Sequence, residues 1–110
     1  MAMQRSKDTF ENFADGICSI REINDDGNAG VEKEHLRFRE RTVGVRRYYE
    51  AMTAKVQVDR LIRVTYRPWL TTEYLAIMGG EIYEIKQVQT IADTFPKCSD
   101  LSLHLARKRR

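Results

Sequence analysis

The sequence predicts a small, mainly β domain: an antiparallel β-barrel or sandwich of five to six strands with one short α-helix. Three observations point there. Apolar and polar residues alternate in several short runs, the period of a half-buried strand. Turn-forming clusters separate those runs at intervals of roughly 8–12 residues. A single stretch, Gly44 to Lys55, carries apolar residues at helical spacing instead.

Residues 1–14 are largely polar and are expected to form a flexible terminus. Gly16 then opens GICSIREI, where the β-branched Ile17, Ile20 and Ile23 suggest a strand, although their three-residue spacing also fits a helix. Asn24 to Gly30, NDDGNAG, is a turn or loop, because Asn, Asp and Gly tolerate left-handed backbone. Its carboxylates lack the spacing of a calcium-binding loop, so it is expected to be solvated. Val31 to Arg41 alternates Leu36 and Phe38 with Arg37 and Arg39, which predicts a half-buried strand with the arginines outward. After Gly44, the residues Val45, Tyr49 and Met52 share one helical face over about three turns. A helix that short needs packing to persist.

Val58 to Tyr66 reads as the next strand, with Ile62, Val64 and Tyr66 on one face and Leu61, Arg63 and Thr65 on the other. Pro68 cannot donate to a ladder and ends it. Trp69 to Thr72 forms a connection. Tyr74 to Met78 and Glu81 to Gln89 are β-rich runs around Gly79-Gly80, a strong hairpin signal. Ala92 to Lys97 is a loop, and Leu101 to Leu105 alternates strictly as a closing strand.

At 110 residues and 42% hydrophobic, the chain suits one domain with one core, folded over about residues 15–105, with 106–110 as a second flexible end. Net charge is +3, from 19 Lys and Arg against 16 Asp and Glu, and part of the excess lies in the tail Arg107 to Arg110. That describes a mixed surface rather than a basic face for phosphates. No apolar run approaches the roughly 18 residues a membrane helix needs. The N-terminus has no apolar core of a signal peptide. Cys18 and Cys98 are isolated and are expected to stay reduced in a cytosol. With His35 and His104 they are too scattered for a metal site. Both histidines are expected to be surface residues. No phosphate-binding glycine motif, nucleophile elbow or zinc-protease motif occurs, so neither cofactor nor enzymatic activity is expected. Tyr48, Tyr49, Tyr66, Trp69, Tyr74 and Tyr83 lie among arginines. Such rings could stack single-stranded nucleic acid, which makes a small nucleic-acid-binding β-barrel the alternative function. Core and interface anchoring is the reading favoured here.

The runs LRFRERTVGVRRYYEA, VDRLIRV, GGEIYEIKQVQTIADT and DLSLHL, in that order, resemble the small head-closure, or head–tail joining, proteins of long-tailed double-stranded DNA phages and prophages. These are connector, or stopper, proteins. The resemblance covers about residues 15–105. It implies a small β-barrel that acts in virion assembly, as a subunit of an oligomeric ring, typically a dodecamer. The ring closes the DNA-filled head beneath the portal and adaptor and offers the tail a docking surface. Implied partners are the portal–adaptor complex, tail proteins and further copies of the chain, with DNA passing through the channel and no membrane. The chain alone could be monomeric. The implied location is the head–tail interface of the virion, after synthesis in the host cytoplasm. A channel-facing element would fall in Thr42 to Gln57 or in the Asn24 to Gly30 loop. Many relatives carry a Trp-Ala pair ahead of the helix, whereas the only tryptophan here is Trp69. Under this resemblance, candidate subunit or partner contacts are Arg37, Arg39, Arg41, Arg46, Arg47, Tyr48, Arg63 and Trp69.

Overall fold

The computed structural model describes residues 9–10, 12–42 and 58–108. The predicted helix lies within residues 43–57, outside the described residues, together with Arg46, Arg47 and Tyr48. Eight strands follow in chain order: β1 (Thr9–Phe10), β2 (Gly16–Ile23), β3 (Ala29–Arg41), β4 (Arg60–Thr65), β5 (Tyr74–Met78), β6 (Glu81–Ile91), β7 (Thr94–Phe95) and β8 (Cys98–Lys108). The chain is mainly β, and among the described residues there is no helix. β2 to β6 and β8 pair antiparallel in one closed sheet, in the order β2-β3-β4-β8-β6-β5, sealed where β5 returns to β2. β1 and β7 form a separate parallel pair.

Local chemistry explains the turns. Asn24 Oδ1 accepts the backbone N–H groups of Asp26 and Asn28 at 3.0 and 2.9 Å, which folds the β2–β3 turn around its own side chain. Gly79 and Gly80 have φ of 57° and 79°, the double left-handed step of a type I′ hairpin. Alternation explains the core. Cys18 and Ile20 of β2, Leu36 and Phe38 of β3, Ile62 and Val64 of β4, Ala76 and Met78 of β5, Tyr83 and Ile85 of β6, and Leu101 and Leu103 of β8 meet inside, with Leu70 beside them.

The structure departs from the sequence expectation in several places. β6 shifts register between Ile85 and Gln87, so Lys86 is an extra residue there. That bulge changes the phase of the strand and turns Val88 toward the core. β4 is buried on both faces from Leu61 to Val64, as is β8 from Cys98 to Leu103. Arg63, expected on an exposed face, is therefore a correction: it is 7% exposed, opposite Asp100 in the register. Finally, strands enter both segments expected to be flexible, since Thr9–Phe10 pairs with Thr94–Phe95 and β8 runs past Leu105 to Lys108. A two-residue strand carries too little pattern to be read from sequence.

Candidate interaction surface

The closed sheet has two ends, and charged side chains cap each. At one end β4 begins with Arg60, paired in register with Leu103; at the other it finishes with Thr65, paired with Cys98.

Arg60 organises the first end. It donates through Nε and Nη2 to the two carboxylate oxygens of Glu40, at 3.2 and 2.6 Å. Its Nη1 donates to Tyr83 Oη at 3.2 Å, and Tyr83 Oη donates to Glu81 Oε1 at 2.9 Å. The guanidinium also lies 5.7 Å from the Phe38 ring centroid and 5.3 Å from that of Tyr83. A planar guanidinium can serve a carboxylate and aromatic faces at once. The Glu40 bonds push the Arg60 pKa upward, and burial does the same for the Tyr83 phenol. Beside this cluster, Arg39, Glu40, Arg41 and Thr42 line a shallow hollow of about 230 Å³.

The second end is closed by the connection from β4 to β5. Arg67 donates through Nε and Nη2 to Glu34 at 2.9 and 3.0 Å, and through Nη1 to the Tyr66 carbonyl at 3.1 Å. The hydrogen bonds from Arg67 hold the Glu34 carboxyl below the usual carboxylate range. Trp69 packs edge-on against Tyr74, with centroids 5.4 Å apart, and the Lys33 ammonium lies 5.5 Å from the indole ring. Lys97 sits 4.2 Å over the Tyr66 ring. Between this connection and the ends of β6 and β8 opens a pocket of about 350 Å³.

Three further polar groups involve the sheet itself. Arg63 and Asp100 make a bidentate pair at 2.6 and 3.0 Å, each side chain 8% exposed. On the β2–β3 face, Ser19 donates to Glu32 at 2.5 Å, Arg21 donates to Ser19 at 3.1 Å, and His35 lies 3.6 Å from Glu32. The Ser19 bond lowers the Glu32 pKa. His104 meets Asp59 at 2.9 Å on the outer register of β8. Burial pushes the Cys18 thiol up to about 12, so it stays protonated and a poor nucleophile at neutral pH. Among the described residues, no group of three His, Cys, Asp or Glu could hold a metal ion.

The candidate residues are therefore spread, not gathered. Arg37 is exposed, Arg39 and Arg41 share the hollow at the first end, and Trp69 is half-buried at the second. Arg63 is withdrawn from the surface by Asp100. The two residues that anchor the caps, Arg60 and Arg67, escape sequence reasoning. Their partners lie 20 and 33 residues away, and only strand register joins them. Charge alone is a weak signal in a chain with 19 Lys and Arg. No protein-family model matches the chain, and no curated protein sequence matches it significantly.

Proposed function

We propose that the chain is a small β-barrel subunit of a phage or prophage head-closure ring, which seals the DNA-filled head and receives the tail. What carries the reading is the order of parts in the sequence: LRFRER, the Ile62-Arg63-Val64 strand, the glycine turn into Glu81-Ile82-Tyr83-Glu84-Ile85, and the alternating leucine strand. Those parts occupy β3, β4, β6 and β8, neighbours in one closed sheet. The surface supports the same reading. Ile17, Ile23 and Val31 of the β2–β3 hairpin are 55, 44 and 71% exposed, beside Arg37. Exposed apolar side chains, one of them paired in register with an arginine, suit a face that a neighbouring subunit covers. A heterologous ring also asks for two unlike side surfaces, and the barrel has a hairpin with exposed apolar side chains on one side and a hydroxyl-lined pocket on the other.

The nucleic-acid alternative draws less from the described aromatic residues. Tyr83 is buried under Arg60, Trp69 and Tyr74 pack on each other, and Tyr66 lies under Lys97. Rings engaged in this way do not present a row of open stacking faces.

Cryo-microscopy of the purified chain mixed with its portal–adaptor complex tests the proposal. A ring of this subunit bound below the adaptor is expected. A chain that fails to bind the complex under assembly conditions overturns it. A monomer in isolation is compatible, because many weak contacts hold together once a template aligns them.

A further inference from the structure

The pocket at the second end contains an unmet hydrogen-bonding demand. Ser99 lines it, is 1% exposed, and has an Oγ with no hydrogen-bond partner among the described residues. Buried hydroxyls in native structures are seldom left so, and each exception asks for an explanation. Thr71, Thr72 and Thr90 bring three more hydroxyls to the same walls. Among the described residues, the lining includes no carboxylate, and its charged member, Arg67, is held by Glu34. Thr71 Oγ1 already accepts from the Glu73 N–H at 3.2 Å, and the hydroxyls of such a site can donate to a ligand that carries acceptors. The pocket's volume, about 350 Å³, suits a loop tip or a short side chain rather than a folded surface.

An element of matching chemistry stands on the far side of the same barrel. The β2–β3 turn carries Asp25 and Asp26, both exposed. It is stiffened by the Asn24 side chain, by Asn24 N–H donating to the Asn28 carbonyl at 2.9 Å, and by Gly27 N–H donating to the Asn24 carbonyl at 2.9 Å. A turn fixed before binding loses little entropy on docking. In the closed order β2-β3-β4-β8-β6-β5, the β2–β3 hairpin lies across the barrel from the β8–β6 pair that lines the pocket. Both features are at the end marked by Tyr74 and Cys98, because Glu22 pairs with Tyr74 and Ile91 with Cys98. Set on opposite sides of the strand order, the turn of one copy and the pocket of the next are placed to meet side to side.

We propose that the pocket is the socket for the β2–β3 turn of a second copy of this chain, with the Asp25 or Asp26 carboxylate accepting hydrogen bonds from Ser99 and the threonine hydroxyls. The contact is head-to-tail, so repetition closes a ring when the rotation allows. The proposal rests on the ring reading above and names its side-to-side contact.

Nuclear magnetic resonance on the full chain tests it. A ¹⁵N-labelled Asp25→Asn, Asp26→Asn variant keeps the pocket and neutralises the turn. Unlabelled natural chain is added to about 1 mM, where a contact with a Kd near 1 mM is half-formed. The expected result is a shift of the Thr71, Thr72, Thr90 and Ser99 amide signals, absent when the added chain is itself the double variant. Adding Ser99→Ala to the labelled chain removes an unpartnered hydroxyl, leaves the fold intact, and weakens the shift at least threefold. Shifts confined to another face, no shift at all, or shifts indifferent to Ser99→Ala each overturn the socket. None of these outcomes depends on the portal complex, so failure of the socket and failure of the ring reading are read separately.

Discussion

Arg63 shows how far a single side chain can stray from its sequence pattern. Alternation sets it on the face opposite Ile62 and Val64, and that is where it stands. Alternation does not say whether that face meets water. Here it does not, and Asp100, directly opposite on β8, takes the guanidinium through two hydrogen bonds. Removing one member of such a pair leaves the other charge buried without its partner. Asp100→Ala is therefore expected to lower unfolding stability by about 3 kcal/mol, read from denaturant midpoints. Replacing both residues by apolar ones of similar volume, Arg63→Met with Asp100→Leu, is expected to recover most of that loss. Leu36 and Phe38 are the contrasting case. Their alternation with Arg37 and Arg39 was legible, and they are 5% exposed in the core. Apolar burial follows from residue type alone, whereas the fate of an arginine depends on which carboxylate the register sets beside it.

The hairpin of β5 and β6 is the element most fully written in local sequence. Its turn needs two consecutive left-handed residues, and Gly79 and Gly80 supply them. An added Cβ at Gly80 meets nothing within 4 Å, so the penalty there is conformational rather than steric crowding. Gly80→Ala is expected to cost about 1 kcal/mol in unfolding stability, with the barrel retained by circular dichroism. Further along β6 the sequence is less informative. The bulge at Lys86 moves Val88 rather than Gln87 toward the core and places Gln87 Oε1 3.5 Å from Ser102 Oγ. Nothing in EIKQVQ announces the extra residue, because the partner strand β8 sets where register slips. The same holds for the caps at the two ends. Glu34 and Glu40 lie on β3, but their partners Arg67 and Arg60 are brought to them by the path of β4 and its following connection.

At the scale of the molecule, closure makes the core one body. Cys18 on β2 and Cys98 on β8 sit at opposite places in the strand order, and both are fully buried. In the native protein neither thiol is expected to react with dithiobisnitrobenzoate. On denaturation both are expected to become reactive over the same range of denaturant, since opening one part of a closed sheet exposes the shared core. Separate transitions for the two thiols would show that the barrel comes apart in stages. The mainly β class, most strand positions and the alternating core were determined by the sequence itself, because side-chain period and turn chemistry act within a few residues. Closure of the sheet, burial of both faces of β4, the Arg63–Asp100 pair, the capped ends and the Ser99 pocket were decided only by tertiary structure. Each depends on pairing between strands tens of residues apart. The register of that pairing is set by the whole sheet at once.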